Sequence, residues 1–173
     1  KANDNSAVTI RNCAAYGTIK TSYKSGSYND FDSIFIGGIL SNSVTSAASV
    51  IENTIWAGEV VNETDLGSDA IISAFGSLSG VGSVTNCYYL DGSVPYVTTN
   101  NTNTEGILAF DYGQLTSGEI AYKLGEVFGQ TIGVDDRPVP GGKRVYQALN
   151  CEDETIKYSN NEGEVIHDWS NHD

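Results

Sequence analysis

Asp135-Asp136 beside Arg137 is the carboxylate cluster of this chain best suited to acid–base or cation chemistry. Adjacent carboxylates offer oxygens to Ca²⁺, and an acid next to a base suits lyase-type proton abstraction. That second chemistry needs acids from neighbouring strands converging on one groove, with a Lys or Arg among them. Residues 7–94 supply only Arg11, Lys20 and Lys24 as bases. Asp135 is therefore expected to bond backbone at a turn before Pro138. The cofactor expectation for Asp135 and Asp136 is none, beyond incidental calcium. Histidine chemistry is confined to His167 and His172, in a polar tail without an orienting partner for a general base or paired cysteines for zinc. The Gly-rich stretch Gly76–Gly82 lacks the following Lys and helix of a phosphate loop and reads as a turn. No catalytic residue is expected.

Aromatic side chains are the remaining candidates for binding. Tyr16, Trp56 and Tyr89 stand at comparable places in related phrases and are expected either to line one sugar-binding strip or to pack loops onto a surface.

Those phrases are a repeat. Val8-Thr9-Ile10-Arg11-Asn12-Cys13 returns as Ser49-Val50-Ile51-Glu52-Asn53-Thr54, and again as Ser83-Val84-Thr85-Asn86-Cys87. Between copies, Phe35-Ile36-Gly37-Gly38-Ile39-Leu40 is echoed near Ile72. Short Val/Ile/Thr-rich segments that alternate apolar and polar read as strands, and the Ser/Asn/Gly/Asp intervals as turns. Stacked strand layers explain the recurring residues. Asn12, Asn53 and Asn86 would bond one another at a corner. Gly17, Gly58 and the Gly37-Gly38 pair would sit at positive φ or close backbone approach. Cys13 and Cys87, two layers or roughly 10 Å apart at the usual strand spacing, lie beyond disulfide reach of about 7 Å and read as buried thiols of an interior column. The odd third cysteine is Cys151. The expected fold is all-β, a parallel β-helix over residues 1–94.

The form apolar-x-Asn-Cys-x-x-x-Gly-x-Val, alternating with Gly-Gly-Ile/Leu over residues 7 to 94, resembles the GLUG-type repeats of surface and secreted proteins of gut bacteria. Adhesins and immunoglobulin-A peptidases carry such repeats beside their main domains. The order Gln114-Leu-x-Ser-Gly-Glu-x-Ala-Tyr-x-Leu, then Gln130-x-Ile-Gly-x-Asp-x-x-Pro, then Val145-Tyr146, resembles a terminal cap seen after these repeats, with Phe128 where that pattern often has Trp. The resemblance implies a right-handed β-helix and a non-catalytic extracellular module, secreted or wall-attached, within a longer multidomain chain whose next part is a small Cys-rich module.

Residues 95–146 are expected to form this cap, with one amphipathic helix over 116–128. Thr116 reads as its N-cap and Glu119 as the N3 partner of a capping box. Ile120, Leu124, Val127 and Phe128 follow at helical spacing. Residues 147–173 read as a β-hairpin around Glu152-Asp153-Glu154, then a truncated tail.

Charge narrows the partners. The 22 Asp+Glu against 9 Lys+Arg give a net charge of -13, a surface that repels nucleic acid and anionic lipid. No apolar run approaches the length of a membrane span. The expected function is adhesion, presentation or spacing, with glycans or host surface proteins as partners. The alternatives are a carbohydrate-binding accessory of a larger enzyme and, last, a β-helix polysaccharide lyase or hydrolase.

Overall fold

A computed structural model describes residues 7–21, 34–40, 46–62, 70–99, 104–150, 155–163 and 165–166. Tyr23, Lys24, Tyr28, Cys151, Glu152–Glu154, His167 and His172 lie outside the described residues. The chain is β-rich, with two short helices among the described residues, and divides into two compact units, Lys1–Ala109 and Phe110–Asp173.

In the first unit the repeated phrase returns to itself in register. Strands β1 (Thr9–Arg11), β5 (Val50–Glu52) and β9 (Ser83–Thr85) pair in parallel, with Ile10, Ile51 and Val84 side by side. β-Branched side chains favour this pleated surface, and the alternation sends these three residues to the apolar core. Each strand ends at an Asn with positive φ, 56° at Asn12, 47° at Asn53 and 51° at Asn86. Asn tolerates that left-handed conformation better than most side chains. The corner turns the chain into a second sheet, β2 (Ala14–Ala15), β6 (Ile55–Trp56), β10 (Cys87–Leu90) and β11 (Ile107–Phe110), ordered β11-β10-β6-β2.

Two further parallel pairs follow, β3 (Thr18–Thr21) with β7 (Glu59–Asn62), and β4 (Ile34–Gly37) with β8 (Ala70–Ser73). A parallel bridge between Ser73 and Tyr96 extends the last pair by one layer. The first two passes of chain thus visit four sheets in the same order, and the third returns to the first two. The middle pass is the most deeply buried: Ile51 and Trp56 are 1% exposed, and Ile55, Ala74, Phe75 and Leu78 are 0% exposed.

The second unit is built differently. Helices α1 (Tyr112–Thr116) and α2 (Glu119–Leu124) precede an antiparallel pair, β12 (Phe128–Gly129) with β13 (Val139–Pro140). The hairpin read from the sequence is present: β14 (Tyr146–Asn150) pairs antiparallel with β15 (Ile156–Ser159). A third strand, β16 (Val165–Ile166), joins β14 in parallel. Helix α2 lies against β12 and β15, and its residues Ile120, Ala121 and Leu124 are buried.

The single helix over 116–128 is corrected to these two. The capping box belongs to Asp111 and Gln114: the Asp111 side chain accepts from the Gln114 N–H at 2.8 Å, and the Gln114 side chain accepts from the Asp111 N–H at 3.0 Å. Thr116 is the last residue of α1, and its hydroxyl donates back to the Tyr112 and Gly113 carbonyls. Gly118, at φ 92°, breaks the helix between the two segments. A Cβ there would fall 2.4 Å from Ile132 Cδ1, so the break is also a close packing point. Glu119 accepts from Gln114 Nε2 at 3.0 Å and pairs with Lys123 one turn on. The helix stops at Gly125, leaving Val127 exposed and Phe128 buried in β12.

Candidate functional site

The most ordered polar feature is a column of amides at the corner between the first two sheets. Asn53 Nδ2 donates to Asn12 Oδ1 at 3.2 Å, and Asn86 Nδ2 donates to Asn53 Oδ1 at 2.7 Å. The Tyr88 hydroxyl then donates to Asn86 Oδ1 at 2.6 Å. Backbone bonds accompany the column: Asn12 N–H donates to the Glu52 carbonyl, and Asn53 N–H to the Thr85 carbonyl. The column has a direction, each amide donating toward the preceding pass, and Tyr88 occupies the acceptor at its far end. Tyr88 was not singled out by sequence reasoning. The only signal for it was its place two residues after the third Asn.

One residue further on stand Cys13, Thr54 and Cys87. All three make the same local bond, donating to the carbonyl two residues back, at 3.2 Å in Cys13, 2.9 Å in Thr54 and 3.3 Å in Cys87. Thr54 and Cys87 are 0% exposed. Burial pushes the Cys87 thiol up to about 11, so it is a poor nucleophile. Cys13 is exposed, which corrects the expectation of two buried thiols. Among the described residues, β1 and β2 stand at the ends of their sheets.

The aromatic strip does not form. Register places Trp56 between Ala15 and Tyr89, whereas Tyr16 comes one position later. Trp56 is 1% exposed and belongs to the apolar core, and Tyr16 and Tyr89 are half-buried. Two glycines make room for the indole. A Cβ on Gly38 would sit 2.4 Å from the Trp56 ring, and one on Gly58 would sit 2.6 Å from it and 2.4 Å from the Gly17 carbonyl oxygen. The expectation of close approach thus describes Gly38 and Gly58. Gly17 has nothing within 4 Å of its Cβ position. None of Gly17, Gly37, Gly38 and Gly58 has a positive φ. Trp56 Nε1 is buried without a hydrogen-bond partner among the described residues.

Asp135 and Asp136 turn to different partners. Asp135 Oδ2 accepts from the Thr131 N–H at 2.5 Å, the backbone role expected of it. Asp136 is exposed and forms a two-pronged pair with Arg137, both contacts at 2.7 Å. The hydrogen bond from Arg137 holds the Asp136 carboxyl below its ordinary range. Among the described residues no three His, Cys, Asp or Glu side chains are grouped to hold a metal ion.

Two residues not assigned a role from sequence organise this part of the second unit. Gln130 is fully buried, and its Nε2 donates to the Thr116 and Asp135 carbonyls, both at 3.0 Å. Asn160 Nδ2 donates to the Gln130 and Arg144 carbonyls, both at 2.8 Å, while its Oδ1 accepts from the Ile132 N–H. A buried amide side chain that ties three loop segments fixes backbone geometry. The regular spacing of Gln130, Ile132, Gly133 and Asp135 was the visible signal.

A cleft of about 470 Å³ is lined by Val81–Val84 and Thr104–Gly106, with Glu105 as the one ionisable side chain among these residues. Among the described residues no helix is long and apolar enough to cross a membrane. No protein-family model matches this chain, and no curated protein or solved structure matches it either.

Proposed function

We propose that the first unit is a short parallel β-helix and that the chain serves as a non-catalytic module of a secreted or wall-attached protein, for adhesion, presentation or spacing. One observation carries the reading: the passes repeat in parallel and in register, with an amide column at their corner. Such a stack is stiff because each strand is held by its neighbours along the axis. It offers a repeating face rather than a convergent pocket. The resemblance of the Asn-Cys and Gly-Gly phrases to GLUG-type repeats supports an extracellular setting, as does the net charge of -13. Burial of Trp56 removes the support that an aromatic strip lent to sugar binding.

The test is a paired assay on the full chain. Immobilised glycans and host surface proteins are screened for binding, while plant and host polysaccharides are assayed for reducing ends and unsaturated sugars. Retention on a surface without product release is the expected result. Catalytic release of sugar products overturns the reading in favour of a lyase or hydrolase.

A further inference from the structure

A small pit, about 60 Å³ in volume, opens in the second unit where helix α2 stops. Its floor is apolar: Ala121, Phe128 and Val145 are all buried. In a helix the residue four places on stands over a given side chain. Above Ala121 that residue is Gly125, the C-cap, which has no side chain. Tyr122 lines the pit with a ring 40% exposed, set against Tyr158 with centroids 5.7 Å and planes 45° apart. Glu126 and Arg144 complete the rim, and Arg144 Nη2 meets Glu126 Oε1 at 2.9 Å. The guanidinium also lies 5.2 Å over the Tyr146 ring, an attraction that holds it in place.

Size and chemistry narrow the occupant. Ligand pockets run to about 300–1,000 Å³, so this pit takes one substituent and not a whole ligand. Its volume of about 60 Å³ is room for two water-sized groups at about 30 Å³ each, such as a methyl and the carbonyl beside it. The buried floor suits the methyl. The rim suits a group that both accepts and donates, because a guanidinium has several N–H donors and a carboxylate several acceptor sites. A carboxylate ligand is disfavoured: Glu126 already meets the charge of Arg144, and the chain carries a net charge of -13. A secondary acetamide is neutral and has every part: a methyl, a C=O to accept from Arg144, and an N–H to donate to Glu126. Beside the pit, the Tyr122 ring offers a flat apolar surface. That surface matches the C–H face of a pyranose better than a thin alkyl stem.

We infer that this pit binds the acetamido group of an N-acetylated hexosamine, with the sugar ring lying on Tyr122. The site belongs to the second unit alone. It does not need the adhesive reading, and its failure leaves that reading untouched.

The test is an NMR titration of the full chain, isotope-labelled at its alanine methyls. The probe is N,N'-diacetylchitobiose, and the control is cellobiose, which has hydroxyls in place of the acetamido groups. Diacetylchitobiose should shift the Ala121 methyl and take up saturation most strongly at its acetyl protons. Cellobiose at matched concentration should leave Ala121 unmoved. The Glu126 side chain is 77% exposed, so Glu126→Ala should fold as the parent does, with the other alanine methyls in place. It should weaken binding about two- to tenfold, the worth of one hydrogen bond. Tyr122→Ala should weaken it at least as much. Four results overturn the inference: an Ala121 methyl that does not move, equal shifts with cellobiose, unchanged binding in Glu126→Ala, or tighter binding of a peptide bearing acetylated lysine. The last would assign the pit to an acetylated protein.

Discussion

The two units use opposite means to satisfy their backbones. In the first, nearly every strand partner lies one pass away, as in Thr9 with Val50 and Ile10 with Ile51. In the second, bonds are local or antiparallel: Asp111 caps α1 from its own N-terminus, and β14 and β15 form a hairpin. A repeated layer spreads a requirement over several equivalent residues, so each position can be judged against its counterparts. A once-used layout concentrates it on single residues such as Gln130 and Asn160. Substitutions in the first unit can therefore be tested in pairs of equivalent positions, and those in the second only against their local alternatives.

The largest expected effect is at Trp56. Its indole is 1% exposed and fills space left by Gly38 and Gly58. Trp56→Ala should lower unfolding free energy by about 3–5 kcal/mol, the usual range for deleting a buried Trp. Tyr89→Ala, next to it in register but half-buried, should lose about 1–2 kcal/mol. Urea unfolding followed by circular dichroism measures both. Equal losses at the two positions would mean that Trp56 is not the centre of this core.

Much of the first unit was legible because its signals are short and recur. An Asn after each β-branched phrase predicts both the corner and the column, since one residue type meets the demands of positive φ and of a lateral hydrogen bond. The fate of Trp56 was not legible. Whether a ring on a two-residue strand points inward depends on the register with Ala15 and on glycines far away in sequence. The helix start was misread for a different reason. Asp111-x-x-Gln114 and Thr116-x-x-Glu119 are both plausible capping boxes, and only Gly118, locked against Ile132, decides between them.

Gly58 and Gly17 sharpen the contrast between a covered and an uncovered pass. A Cβ at Gly58 meets backbone at 2.4 Å, and backbone cannot swing aside as a side chain can. Gly58→Ala should cost about 1–3 kcal/mol, the range for overpacking. Gly17→Ala should change stability by less than about 0.5 kcal/mol, as for open surface positions. If the two substitutions cost the same in chemical denaturation, the first pass is already covered.

The thiol column gives a pH test. Burial raises Cys87 from an ordinary 9.0 to about 11, so the unfolded chain releases this proton first as pH rises. The stability tied to the neutral thiol is fully present below pH 9 and is lost between about 9 and 11. Over that window the loss is of order 1–2 kcal/mol. Cys87→Thr places the Thr54 side chain type at the equivalent position and removes the titrating group. Unfolding measured from pH 8 to about 11 should then fall less steeply in the variant than in the parent. Parallel curves would mean that the thiolate is accommodated without penalty.

The smallest effect separates the two readings of the helix in the second unit. Asp111 accepts from the Gln114 N–H and so satisfies a donor that the first turn of α1 leaves unpaired. Asp111→Ala should cost about 1 kcal/mol, a usual N-cap value. Among the described residues the Thr116 hydroxyl bonds only to carbonyls of its own helix. Thr116→Ala should therefore stay within about 0.5 kcal/mol of the parent. Deletion of the two side chains in separate variants, compared in one denaturation series, ranks the caps directly. A larger loss at Thr116 than at Asp111 would return the helix start to Thr116 and join α1 and α2 differently. The predicted order instead follows from Gly118, whose left-handed backbone ends one helix turn before the next begins.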